Sequence, residues 1–264
     1  MRVISYGGGV QSTALIVLAV QRRIDADLAL FSNVGDDSEH PATLTYVRDV
    51  MIPWATARKF RVEEIQRRDR AGHLRSLAAD LMNETTRSVP IPVRMSNGAP
   101  GRRSCTVDYK IKVISRRLRE MGAAVDNPAT VLIGFSTDEI HRVARRRDIA
   151  TETAEYPLLD LGLSRSDCIN LIADAGLPVP PKSACFFCPF TRPQTWAEMR
   201  RDEPELFDKA LTIERRLNET RTRLHRDPVW LTRFNRPLDQ AIYEAGPTLF
   251  DDGPESCDDG YCWT

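Results

Sequence analysis

Lysine is scarce in this sequence: nearly all of its basic residues are arginine, and they balance the acids to a formal net charge of zero. Without a basic excess, the molecule as a whole is not a magnet for nucleic acid. No apolar run approaches the length of a membrane span, so no membrane partner is expected. The first residues enter a strand directly, with neither a charged leader region nor a cleavage site, which makes the cytoplasm the expected address. In that compartment the six cysteines, at 105, 168, 185, 188, 257 and 262, are not expected to form structural disulfides. Metal or redox chemistry is the expectation for the close pairs. No internal repeat is found.

What is present fits a globular protein. The 264 residues, 42% of them hydrophobic, suffice for one large domain or for a domain with an appendage. The most informative stretch is Arg2 to Leu15. A short strand, Val3 to Tyr6 with Ser5 inside it, runs into Gly7, Gly8 and Gly9. Gln11, Ser12 and Thr13 follow, and an apolar helix is expected from about Ser12 to Val20. Consecutive glycines let the backbone turn sharply and bare its N–H groups. The helix points its positive N-terminal end into the same space, so loop and helix together suit an anion, usually phosphate. The loop lacks the lysine of G-x-x-x-x-G-K-S/T and the third glycine of G-x-G-x-x-G. The plain alternative is a tight strand-to-helix turn with no ligand.

A second strand is expected over Ala26 to Val34, ending in Gly35, Asp36 and Asp37, with a helix from Pro41 to about Phe60. Strand, helix, strand, helix is the signature of an α/β, Rossmann-like fold with a parallel sheet. Ligands gather at the carboxyl ends of such strands, so the Gly7 and Gly35 loops are expected to face one pocket. Asp36 or Asp37 is a candidate to hold Mg²⁺ on the phosphates, with helix capping as the competing role.

Val62 to Ile65 reads as a third strand, Ala71 to Glu84 as a helix, Val89 to Val93 as extended chain and Ser96 to Gly101 as a turn-rich loop. A helix is expected to reach Met121, and Ala129 to Gly134 is a further strand. A helix over Asp167 to Ala175 carries Cys168, expected to be buried and inert. Four helical stretches are expected after residue 190, the clearest being Thr195 to Glu203 and Pro204 to Arg223. The last forty residues read as a loosely held tail. Arginines cluster at Arg102-Arg103, Arg116-Arg117-Arg119 and Arg145-Arg146-Arg147, as phosphate forks or as solvated helix faces.

Cys185-x-x-Cys188-Pro puts two thiols three apart on a turn, where they can grip one metal centre. Cys105 is the candidate third ligand. Three thiolates with no histidine at hand suit a [4Fe-4S] cluster with one open iron. A structural zinc would need a fourth donor from Cys168, Cys257 or Cys262. A thiol/disulfide or plain structural role is the remaining reading.

Taken in order, five elements between residues 2 and 190 resemble the PP-loop ATP pyrophosphatases and phosphoadenylyl-sulfate (PAPS) reductases, an adenine nucleotide alpha hydrolase-like family. Gly7-Gly8-Gly9-Val10-Gln11-Ser12 resembles S-G-G-x-D-S, with glycine for the first serine and glutamine for the aspartate. Gly35 to Thr43 resembles the second signature, which ends in E-x-P-x-T. Arg103, Cys105, Thr106 and Lys110 match R-x-C-T-x-x-x-K. Gly134, Asp138, Glu139 and Arg142 match G-x-x-x-D-E-x-x-R, and the Cys185 pair follows.

The resemblance implies a nucleotide-binding domain over residues 1–190 that includes the cysteine cluster. A helical extension over 191–245 and a flexible cysteine-containing tail over 246–264 would follow. It implies ATP with Mg²⁺, bordered by Ser5, the Gly7 to Thr13 loop, Gly35, Asp36, Gly134, Asp138 and Glu139. Lys110, Arg103 and Arg142 would stabilise charge on the phosphates. Some relatives insert sulfur into nucleic acids and hold a three-cysteine cluster. The implied activity is therefore an ATP pyrophosphatase that adenylates an acceptor and supports sulfur transfer, to DNA as in phosphorothioation or to a tRNA base. A cysteine desulfurase or other sulfur donor, and further proteins of a modification complex, are the implied partners.

Two alternatives stand beside it. One is a PAPS or adenylyl-sulfate reductase with Cys257 or Cys262 as nucleophile. Gln11 favours it, while the lone upstream cysteine (Ser104 stands beside Cys105) and the missing Gly-x-His after Cys257 count against it. The other is a nucleotide- and cluster-binding subunit of a larger complex.

Overall fold

The computed structural model describes residues 1–145 and 149–243. Its centre is an all-parallel sheet of five strands: β1 (Arg2–Tyr6), β2 (Leu28–Asn33), β3 (Arg61–Gln66), β4 (Ala129–Leu132) and β5 (Glu152–Glu155). Their order is β3-β2-β1-β4-β5. β1 and β2 are the apolar runs of the sequence, and β2 is buried along its whole length. A parallel strand covered by helices on both faces must be so. The expected α/β, Rossmann-like architecture with a helical C-terminal part is what the chain forms.

Strand order carries the functional consequence. The chain steps outward from β1 to β2 to β3, then returns to the other side of β1 as β4. Loops leaving β1 and β4 therefore part in opposite directions, and a crevice opens at their carboxyl ends.

Helix α1 (Val10–Val20) follows the glycine loop and packs against α8 (Arg165–Asp174), with Leu15, Cys168 and Ile172 in one core cluster. Helices α2 (Pro41–Thr45) and α3 (Ile52–Ala57) run on from one another through a π-helical turn at Tyr46–Met51. The run stops at Ala57, short of the expected Phe60, because Lys59 adopts a positive φ of 62°. α4 (Leu77–Met82) is shorter than the expected 71–84 helix. The Asp69 carboxylate accepts the backbone N–H groups of Ala71 and His73 and winds that stretch into a turn. Helix begins only where Ser76 caps the N–H of Ala79.

A short helix α5 (Ser104–Thr106), a π-helical turn (Val107–Ile111) and α6 (Lys112–Glu120) complete the first half. β5, which pairs with β4, was not foreseen; Glu-Thr-Ala-Glu at a sheet edge has no apolar run to announce it. Beyond α7 (Pro157–Asp160) and α8, helices α9 (Pro193–Asp202), α10 (Pro204–Arg223) and α11 (Leu238–Tyr243) share a second core with the segment before α6. Leu77, Ile91, Tyr109, Phe187, Trp196 and Phe207 lie in it.

The described end of the chain corrects the expectation of a loose tail beginning near residue 225. Val229, Leu231 and Leu238 are fully buried. Buried Glu214 accepts the backbone N–H groups of Leu231 and Leu238, both at 2.7 Å, and pins that end to α10. Among the described residues no helix is long and apolar enough to cross a membrane.

Candidate functional site

The glycine loop is a formed structure held from within. Gly7 donates its N–H to Ser12 Oγ at 3.2 Å, and that hydroxyl donates to the Gly9 carbonyl at 3.2 Å. Gly8 has a φ of +80°, and a Cβ there would stand 3.0 Å from the Thr43 methyl group. Glycine is thus required by conformation and by space at once. Of the two hydroxyls expected to face a phosphate, Thr13 is fully buried and donates to Tyr6 Oη at 3.4 Å. It ties the helix to the strand. Ser5 is buried within β1.

The second loop is built the same way. Gly35 has a φ of +125°, and its N–H is taken by Asn33 Oδ1 at 2.8 Å. Asp36 is gripped by Arg48 through two bonds, of 2.7 and 2.9 Å, and by Asn33. Glu64 shares the same arginine. The guanidinium holds both carboxyls below the usual carboxylate range. Asp37 accepts from Ser38 and Ser76 and shapes the turn.

The carboxylate that does look toward the matched lysine is Glu39, which the sequence reading did not select. Glu39 is 1% exposed, and among the described residues neither of its oxygens has a hydrogen-bond partner. The Lys110 ammonium stands 3.8 Å from it. Lys110 lies in the π-helical turn that follows Thr106, and the Tyr109 carbonyl beside it accepts from Ser32 of β2 at 2.7 Å. A one-residue bulge of this kind re-aims side chains and is common at functional sites.

The cysteine segment is stitched to both loops. Ser183 Oγ donates to the Gly7 carbonyl. His40 N–H donates to the Ala184 carbonyl at 3.1 Å, and Phe186 N–H to the Ser38 carbonyl at 3.2 Å. These bonds flank an antiparallel bridge between Glu39 and Cys185. Cys188 N–H closes the turn onto the Cys185 carbonyl at 3.1 Å. Cys105 N–H is taken by the Pro90 carbonyl at 2.7 Å. Cys188 is buried, and Cys105 and Cys185 pack against the second core cluster.

Arg103 reaches the same region, with its guanidinium 4.8 Å from the centre of the Phe190 ring. Beside Cys185 lies a cavity of about 220 Å³ lined by His40, Lys182, Thr191, Glu198 and Glu203 among others. His40 Nε2 and Glu203 are 3.0 Å apart at its rim.

As donors, the three thiols suit a thiolate-bound group. Among the described residues no three metal-ligating side chains already stand together as a cage. Cys168 belongs to the other core cluster, and burial pushes its thiol up to about 12, so it is an inert packing residue, as expected. Glu255, Cys257 and Cys262 lie outside the described residues, as do Arg146 and Arg147.

Across the switch point, β4 ends against the glycine loop. A Cβ on Gly134 would stand 3.0 Å from the Gln11 carbonyl carbon and 3.0 Å from the Ser12 nitrogen. Asp138 accepts from Ser136 and from the backbone N–H of Arg165. Glu139 and Arg142 form a buried ion pair at 2.6 Å. Arg165, to which no sequence signal points, also reaches the glycine loop: its Nη1 donates to Gln11 Oε1 at 3.0 Å.

Arginines of the second cluster face acids. Arg116 meets Glu120 at 3.0 Å, and Arg117 meets Glu63 at 2.6 Å. These contacts match the solvated-face reading of that cluster.

No protein-family model matches this sequence, and no curated protein matches it.

Proposed function

We propose that this protein is a PP-loop ATP pyrophosphatase of the PAPS-reductase-like kind, which adenylates an acceptor and supports iron–sulfur-dependent sulfur transfer to it. One observation carries the reading: the seam between the glycine loop and the cysteine segment. Ser183 is bonded to the Gly7 carbonyl, and Cys185 is two residues further on, paired with the second loop. Two residues of extended chain span roughly 7 Å. Phosphates lying on the loop would therefore come close to the thiols.

The chemistry follows from the residues. Loop N–H groups and the N-terminal end of α1 receive the phosphates of ATP, with Mg²⁺ as counter-ion. An acceptor oxygen attacks the α-phosphorus, and the bond from that phosphorus to the bridging oxygen breaks. Pyrophosphate leaves with the electron pair and stays on the loop. Lys110, held beside Glu39, supplies a cation for the developing charge, and Arg103 adds a second from the cysteine side. Cys105, Cys185 and Cys188 would hold a [4Fe-4S] cluster, whose chemistry would be to supply sulfide. Sulfur then displaces AMP from the adenylated acceptor, a DNA or tRNA group. A cysteine desulfurase, acting with a two-electron thiol reductant that releases its persulfide sulfur as sulfide, is the natural kind of sulfur donor.

The test is anaerobic purification with iron and acid-labile sulfide analysis, on wild type and on Cys185→Ala. About four irons per chain, lost in the variant, support the reading. Stoichiometric zinc, or no metal after reconstitution with iron and sulfide, overturns the cluster half of it.

A further inference from the structure

The cavity beside Cys185 is left unused by the phosphate chemistry. One wall is the cysteine segment, which gives it Lys182, Cys185 and Phe186. The other is helix α9, which presents Thr195, Glu198 and Asp202 at helical spacing, together with Met199. Phe186 and Met199 are buried, so the inner surface is apolar. The volume, about 220 Å³, is that of roughly seven waters at about 30 Å³ each. A nucleotide is far too large for it. An α-amino acid with a short side chain has the right bulk.

The charges narrow the ligand further. Of the charged groups around the cavity, His40 faces Glu203 at 3.0 Å, and Asp202 is held by Arg201 through two bonds of 2.7 Å. Lys182 and Glu198 remain. Among the described residues neither has an ion-pair partner, and they do not pair with each other. Glu198 accepts from the Gln194 amide at 3.3 Å. One cation and one anion thus stand apart on the two walls of one small cavity. A zwitterion satisfies both at once, with its carboxylate on Lys182 and its ammonium on Glu198.

We infer that this cavity binds a small α-amino acid with a sulfur-bearing side chain, of which cysteine is the simplest. Its sulfur would lie among Cys185, Phe186 and Met199, polarisable partners that favour sulfur over a hydroxyl. The inference rests on the sulfur-transfer reading and deepens it by naming the kind of sulfur compound that can reach Cys185. A cysteine within a polypeptide has neither free charge and would not be held in this way.

The experiment is anaerobic calorimetry on the full chain with L-cysteine as the probe. Wild type is expected to bind cysteine about tenfold tighter than serine, cysteamine (which lacks the carboxylate) or N-acetylcysteine (which lacks the ammonium). Lys182→Met and Glu198→Gln are each expected to weaken cysteine binding by about tenfold. Lys182→Met should leave cysteamine binding unchanged, and Glu198→Gln that of N-acetylcysteine, a pattern that a merely structural role does not produce. Neither side chain is buried, so both variants are expected to fold, which thermal melts check.

Cysteine binding unchanged in both folded variants would overturn the inference, because the amino acid would then be held elsewhere. Equal binding of cysteine and N-acetylcysteine, or of cysteine and serine, would overturn it too. Iron and sulfide analysis of the same samples separates the two readings. Protein that holds the cluster but binds no cysteine keeps the sulfur-transfer reading and loses this one. Protein that binds cysteine with the expected pattern but takes up no iron keeps the cavity and loses the cluster.

Discussion

Gly134 approaches the peptide that joins Gln11 to Ser12 so closely that a Cβ on it would stand 3.0 Å from two of its backbone atoms. The end of β4 and the start of α1 are thereby locked together across the switch point. Both atoms in the way are backbone, so they cannot move aside as a side chain would. Gly134→Ala is expected to cost about 1–3 kcal/mol of stability and to weaken nucleotide binding by displacing the helix end. Urea unfolding and ATP titration check both. An alanine variant with unchanged stability and affinity would show that the contact is slack.

Much of the fold was legible because its signals were local. Apolar strands broken by Gly7 and Gly35 announce a parallel sheet, and both loops do leave its carboxyl edge. Glu152–Glu155 had no such signal, since an edge strand with an acid at each end owes its form to pairing with β4. The relation of Gln11 to Arg165 could not be read either. It joins positions 154 residues apart, through the packing of two helices. Glu39 was passed over for the same reason: its burial beside Lys110 comes from the cysteine segment folding over it.

Glu39 and Lys110 form a pair in which the carboxylate is fully buried and the ammonium mostly so. Lys110→Met removes the cation beside a buried carboxylate whose oxygens accept no hydrogen bond from the described residues. A loss of about 3 kcal/mol is expected. The double variant Lys110→Met with Glu39→Gln should recover most of that stability while remaining inactive. Chemical denaturation of the two variants, with a pyrophosphate-release assay, separates the structural role from the functional one.

Acid should loosen the second loop. Asp36 and Glu64 have carboxyls held below their ordinary values of 3.8 and 4.5 by Arg48. A depressed pKa adds stability that is present above the ordinary value and lost as pH falls through the folded one. Wild type is therefore expected to lose stability as pH drops below about 4.5. Arg48→Met, starting lower, should lose less over the same interval. Parallel pH dependence in the two proteins would contradict the assignment.

Ser183→Ala removes the hydroxyl that joins the cysteine segment to the Gly7 carbonyl. About 1 kcal/mol of stability is expected to go with it. Amide hydrogen exchange at Ala184, Cys185 and Phe186 should quicken while that of β1 does not. Exchange unchanged in the segment would mean that its pairing with Ser38 and His40 holds it without help.

The central claim, that ATP is split between its α- and β-phosphates on the glycine loop, is tested most directly by the products. Purified protein would be incubated with Mg-ATP and the nucleotides separated, with Gly8→Val as control. AMP and pyrophosphate in equal amounts, absent in the variant, are predicted. ADP with orthophosphate, or product formation unaffected by the variant, would contradict it.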